Sequence, residues 1–203
     1  MLESSPSTNG LCGSLNLGTA DVDFHSIDMN LYFQLLMVIV VHLHLSYQTF
    51  GSDVTASKIA NKASSFIQST DYSKSGCKHG TKYCGTWKCN LFVYDVLKSV
   101  GAKVPTRHWW IYSPIGANEW GNPNSGIIKS TGCYTLIPSF SQKRSGDIIA
   151  FPKTIGSGHV GIVYSSNEYI SATQFKVEKS GYPNKETYPT RTIWRYRYTK
   201  SGC

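Results

Sequence analysis

The sequence predicts an α+β domain in which helices come first and a small antiparallel sheet follows. Residues 88–100, KCNLFVYDVLKSV, repeat apolar side chains at the period of a helix. From Gly146 onward the chain breaks into short runs of strand-type residues. The order of these two halves, with no internal repeat and no low-complexity tract, completes the prediction.

The first feature along the chain is LYFQLLMVIVVHLHL, residues 31–45, the only long apolar run. It has the length of a signal-peptide core and is short for a membrane span. Thr49-Phe50-Gly51 follows, so cleavage is expected near Gly51. No Lys or Arg precedes the run, and Met29 would be a better start than Met1. Residues 1–51 are therefore read as an upstream extension plus signal peptide, and residues 52–203 as a single catalytic domain in a secreted, extracellular protein.

Within that domain, 53–69 carries Ile59, Ala63, Phe66 and Ile67 at helical spacing, and 70–87, rich in Gly, Ser, Lys and Tyr, reads as loop. In 88–100, Cys89, Phe92, Val93, Val96, Leu97 and Val100 share one face, while Asn90, Tyr94, Asp95 and Lys98 share the other. Thr86 is the expected cap and Gly101 the expected stop. Residues 101–145, with four prolines and no period, read as long ordered loops. Strands are expected at 146–151, 159–164, 168–173 and 192–198.

Hydrophobic residues make up 40% of the 203, which suits one globular domain. Every Lys and Arg lies after Gly51, so residues 52–203 carry about +12 against +8 for the whole chain. Such a domain is drawn to anionic cell-wall surfaces and other polyanions. The bases are dispersed and no nucleic-acid motif accompanies them, so no nucleic-acid partner is expected.

Secretion would remove Cys12 and leave five cysteines. If Cys89 is free, Cys77, Cys84, Cys133 and Cys203 form two disulfides with three possible connectivities. The favoured one joins Cys77 to Cys84 as a local staple and Cys133 to Cys203 as a tie for the C-terminus. The gaps among Cys77, His79, Cys84 and Cys89 do not match a compact zinc knuckle, so no metal is expected.

Cys89 opens a helix, where unpaired N–H groups and the helix dipole favour a thiolate and can hold an oxyanion. His159 opens a strand after Gly156-Ser157-Gly158, the place for a base that takes the thiol proton and returns it to a leaving amine. Trp87, Trp109, Trp110 and Trp120 are candidates for a substrate wall, with ordinary packing as the alternative for each.

WKCNLFVYDVL, GDIIAF, and GHVGIV followed by YISA together resemble the NlpC-type superfamily of papain-like cell-wall cysteine peptidases and amidases, over about residues 86–173. The extended W-x-C-N-x-F-V-x-D-V-L pattern, with Gly101, Pro105 and Ala117-Asn118-Glu119-Trp120, is similar to the amidase effectors of type VI secretion systems. It is similar too to their domesticated eukaryotic relatives, as in ticks. The resemblance implies a papain-like fold, no cofactor, and an antibacterial amidase or endopeptidase that cuts stem-peptide or cross-link bonds of bacterial peptidoglycan through a Cys89 thioester. Cys before His in chain order argues against the permuted lipid acyltransferases. The family's third catalytic residue falls on Ser171, expected directly across from His159 if Gly161 pairs with Tyr169. Another register would place Gln174 there. Asp147 reads as a structural residue of its strand. The replaced third residue supports one alternative, a catalytically inactive wall-binding protein on the same scaffold.

Overall fold

The computed structural model describes residues 29–48 and 54–203. The chain divides into two units, Met1–Gly51 and Ser52–Cys203. In the first, helix α1 (Met29–Gln48) contains the whole 31–45 apolar run. Among the described residues no helix is long and apolar enough to cross a membrane. The expected cleavage point at Gly51, and Cys12, lie outside the described residues.

The second unit begins with α2 (Ala56–Ser64), which is shorter than the sequence suggests. Thr55 caps it, its Oγ1 accepting from the Lys58 N–H at 3.1 Å, and Ile59, Ala60 and Ala63 are buried. Helix α3 (Cys89–Ser99) follows. Its stop is the predicted one: Gly101 takes φ +82°, a conformation glycine adopts without cost. Its start is not. Lys88 holds the cap position without a side-chain cap, and the Thr86 hydroxyl instead donates to the Tyr83 carbonyl at 2.7 Å.

Helix α3 also buries more than one stripe. Leu91 and Tyr94 join Phe92, Val93, Val96 and Leu97 in the core, because α2 packs on one side and the sheet on another. Asp95, expected to face water, accepts from Tyr72 Oη at 2.7 Å and contacts His79 Nε2 at 2.6 Å. That pair ties the segment around the Cys77–Cys84 disulfide to the middle of α3.

Within the expected long loops of 101–145 lie two short α-helices, α4 (Ala117–Trp120) and α5 (Gly126–Ser130), and a strand, β1 (Tyr134–Ile137). Each has four or five residues, too few to show a period; tertiary contacts hold them. The remaining strands are β2 (Ile148–Phe151), β3 (His159–Val163), β4 (Glu168–Ala172), β5 (Val177–Gly181) and β6 (Thr192–Tyr196). They form one antiparallel sheet in the order β1-β6-β2-β3-β4-β5, so the architecture is α+β. The two strands without a sequence signal, β1 and β5, are its edges.

The sheet is buried on both faces. Ile148, Ala150, Val160, Ile162, Ile170 and Trp194 face the helices. Ile149, Phe151, Val163, Tyr169 and Ile193 form a second, smaller cluster on the far side. The buried Asp147 takes a two-pronged contact from Arg195, with Nε and Nη2 each at 2.9 Å, and accepts from the Arg144 N–H. A second disulfide joins Cys133, beside β1, to Cys203.

Candidate active site

Lys88 and Cys89 bring the nucleophile candidate into place. The Lys88 side chain is buried, and its ammonium donates to the carbonyls of Ser73 (2.8 Å), Lys74 (3.1 Å) and Thr86 (3.0 Å). All three of its donors are satisfied by main chain, which draws the preceding loop under the start of α3. The Lys88 carbonyl accepts the first helical bond, from Phe92 N–H. Cys89 is the next residue. It is buried and unpaired, and the other four described cysteines are consumed in the two disulfides.

The electrostatics of Cys89 are a balance. Burial pushes the thiol pKa up, while the backbone N–H groups of Val160, Asn90 and Cys89 itself pull it down, and burial is the larger effect. The expected thiolate-favouring helix start is present, but desolvation outweighs it. His159 is shifted in the matching sense: burial, helped by the Lys153 ammonium, lowers its pKa to about 4. The resting pair is a neutral thiol and a neutral imidazole.

Cys89 and His159 line one pocket of about 310 Å³, together with Trp87, Lys153, Ser157, Gly158 and Tyr188. The imidazole stacks on Phe151 and meets Tyr169 edge-on, with ring centroids 6.5 and 5.8 Å apart. Its Nε2 lies 2.9 Å from the Oγ of the fully buried Ser171.

The hairpin register that makes this contact differs from the expected one. Val163 pairs with Tyr169 and Ile162 with Ile170, which sets Ser171 across from Gly161 rather than from His159. Ser171 reaches the imidazole as a diagonal neighbour on the same face. A Cβ on Gly161 would stand 3.0 Å from the Ser171 Cβ and 2.5 Å from the Ile170 carbonyl, so the glycine keeps the space between imidazole and hydroxyl clear. Gln174 does not take the position across from His159, and its carbonyl accepts from the Lys74 N–H instead.

The four tryptophans separate. Trp87 joins the pocket. Trp109 and Trp110 do not line it; they stand 87% and 63% exposed with ring centroids 5.6 Å apart. Trp120 is a correction: it is 1% exposed, packed on Tyr134, with its carbonyl held by Trp194 Nε1 at 2.8 Å, so it contacts no substrate. Sequence reasoning missed Lys153 and Tyr188. Gly156-Ser157-Gly158 pointed toward the first, but nothing local marks Tyr188, which tertiary folding alone delivers to the pocket.

A cysteine opening a helix, a histidine opening a strand of an antiparallel sheet and a polar residue on the next strand agree with the NlpC/papain-like class of cell-wall amidases and peptidases, of which the CHAP domain is a member. Within that class, the chain carries a CHAP domain, matched over residues 78–177. CHAP domains are typically hydrolases acting on peptidoglycan. The match takes in α3 and β1–β4, and leaves α2 and β6 outside it. No curated protein matches the chain.

Proposed function

We propose that residues 52–203 form a secreted antibacterial amidase or endopeptidase that hydrolyses stem-peptide or cross-link amide bonds of bacterial peptidoglycan. One observation carries the reading: the only unpaired described cysteine, at the first residue of a helix, shares a pocket with a histidine whose far nitrogen is already engaged by Ser171. The 31–45 apolar run and the two disulfides support a leader and an extracellular site of action. The similarity to type VI amidase effectors and their domesticated relatives supports the antibacterial role.

The chemistry follows from the neutral resting pair. Ser171 Oγ accepts from Nε2–H, which fixes the tautomer and leaves Nδ1 as a base. As substrate displaces water, Cys89 Sγ attacks the amide carbonyl carbon and the thiol proton moves to Nδ1. The backbone N–H groups beside Sγ are placed to receive the oxyanion. Collapse breaks the C–N bond, and His159 returns the proton to the departing amine. Water, deprotonated by the same imidazole, then cleaves the thioester. The lowered pKa of His159 leaves the imidazole unprotonated, and so free to take a proton, throughout the neutral range, at a cost in basicity.

The surroundings suit a polymer. The pocket shares Ser157 and Gly158 with a neighbouring one of about 350 Å³ that includes Arg107, Asn118 and Glu119. It shares Lys153 with a third of about 480 Å³ lined by Ile155 and Thr187. Trp87 and the exposed Trp109 and Trp110 are proposed to contact the glycan or stem peptide, and the +12 charge to hold the enzyme on anionic walls.

Incubating purified sacculi with wild type and Cys89→Ala, and weighing the released fragments by mass spectrometry, decides the matter. Loss of every product in the variant is expected. Binding without cleavage by wild type would instead establish the inactive wall-binding protein.

A further inference from the structure

The loop joining β2 to β3, residues 152–158, supplies Lys153, Ser157 and Gly158 to the Cys89–His159 pocket and contributes to both neighbouring pockets. A loop that shapes three adjoining pockets has to be held in one conformation, yet it is exposed over most of its length. Its own residues supply little. Gly156 takes φ +84°, and Ile155 is almost fully in solvent.

The hydrogen bonds that hold its main chain come from one side chain on another element. Asn118, on α4, accepts from the Lys153 N–H through Oδ1 at 3.0 Å and donates through Nδ2 to the Gly156 carbonyl at 3.0 Å. One amide thus bridges two main-chain groups three residues apart. The Gly158 backbone presses on the same amide: a Cβ there would fall 2.4 Å from Asn118 Oδ1 and 2.7 Å from the Phe151 carbonyl. No residue but glycine fits beneath the clamp.

The platform behind Asn118 is rigid. Its helical neighbours Ala117 and Trp120 are buried. The Trp120 carbonyl is held by Trp194 Nε1 at 2.8 Å and the Gly121 carbonyl by Thr192 Oγ1 at 2.6 Å, both on β6. Gly121 lies so close to Pro152 that a Cβ would stand 2.5 Å from the proline Cβ. Position is therefore transmitted from the sheet through α4 and Asn118 to the loop. His159 itself has independent anchors, its pairing with Phe151 and its contact with Ser171.

We propose that Asn118 is a positioning residue that holds the 152–158 loop in its pocket-lining shape and so places the substrate amide over Cys89. The clamp is a matter of geometry alone; its catalytic consequence rests on the hydrolase reading above. Because Asn118 is exposed and the catalytic pair is anchored elsewhere, removing the clamp changes substrate placement and leaves fold and thiol intact.

The test uses the full chain with Asn118→Leu, which removes both bonds, and Asn118→Asp, which keeps the acceptor for Lys153 and loses the donor to Gly156. For Asn118→Leu, kcat/KM on sacculus fragments falls by about tenfold or more, mainly through KM, while iodoacetamide alkylation of Cys89 stays within about twofold. Asn118→Asp falls between this variant and wild type. In parallel, hydrogen exchange at the Lys153 amide speeds up by about tenfold or more in Asn118→Leu. Wild-type cleavage by Asn118→Leu overturns the positioning role while leaving the hydrolase reading untouched. If wild type cleaves nothing, the hydrolase reading fails instead, and unchanged Lys153 exchange in Asn118→Leu would still overturn the clamp.

Discussion

Cys89 and His159 share a pocket but are secured in opposite ways. Cys89 is set by the core: it begins a helix whose side chains are buried on nearly every side, and the buried Lys88 ammonium gathers the loop before it. His159 is set at a margin, by the end pair of a strand ladder and a diagonal hydroxyl. The proposed nucleophile's place is bound up with folding itself. The proposed base's place depends on a handful of local contacts, any one of which should be removable while the domain stays folded. Catalysis should therefore be most separable from stability on the His159 side.

The largest separation comes from the imidazole itself. His159→Gln keeps a polar side chain of similar reach but has no group that can both take and return a proton. Cleavage should fall about 10³-fold, within the range general acid–base groups supply, while the circular dichroism spectrum and melting temperature at pH 7 stay close to wild type. Residual activity within tenfold of wild type would mean that the base is another group.

The comparison also explains how much could be read from sequence. The α3 side was legible, because a helix writes itself as a period over eleven residues and Gly101 marks its end. Its cap was not, since Lys88 acts through carbonyls brought in from Ser73 and Lys74, a contact with no local pattern. On the sheet side, the interior strands were legible from their β-branched runs. The polar edge strand Val177–Gly181 and the four-residue β1 were not, because edges need neither alternation nor bulk. Residues around the proposed catalytic pair divide the same way. Cys89 and His159 announce themselves through neighbouring helix and glycine signals. The hairpin register, on which Ser171 depends, is fixed by turn geometry and by packing at Gly161. Trp120 was misassigned for a related reason: an aromatic in a proline-rich stretch looks like a binding residue until burial shows that the stretch carries its own packed helix.

A second effect sharpens the contrast through pH. In the unfolded chain His159 takes up a proton near pH 6.5, whereas in the fold it does so only near pH 4. Between these values the unfolded state binds more protons, so stability is fullest above pH 6.5 and falls as the pH drops to 4. The loss attributable to this group approaches about 3 kcal/mol. The groups around the imidazole include the Cys89 thiol, the Lys153 ammonium, the Ser171 hydroxyl and the Tyr169 and Tyr188 phenols, with Glu178 paired across from Ser171 on β5 as the carboxylate of this face. Urea unfolding of wild type and His159→Gln from pH 7.5 to 4 checks this: the wild-type curve should fall more steeply, by about that amount. Parallel curves would show that the folded imidazole titrates normally. Activity should follow the same logic, holding its level down to about pH 5 on the acid side.

The smallest expected effect tests the diagonal contact. Ser171 is a weaker partner than a carboxylate would be, because a hydroxyl fixes the ring without stabilising a full imidazolium charge. Ser171→Ala should therefore lower kcat by about tenfold, the order of one neutral hydrogen bond, and leave KM nearly unchanged, since Ser171 is buried behind His159 and does not line the pocket. Ser171→Thr keeps the hydroxyl but adds a methyl in a strand interior where Gly161 already marks the tightest approach, so it should restore less than full activity. If Ser171→Ala instead matches the 10³-fold loss of His159→Gln, the hydroxyl does more than orient the ring. A wild-type rate in Ser171→Ala would mean that strand pairing and the Phe151 and Tyr169 rings alone suffice to aim Nδ1 at the thiol.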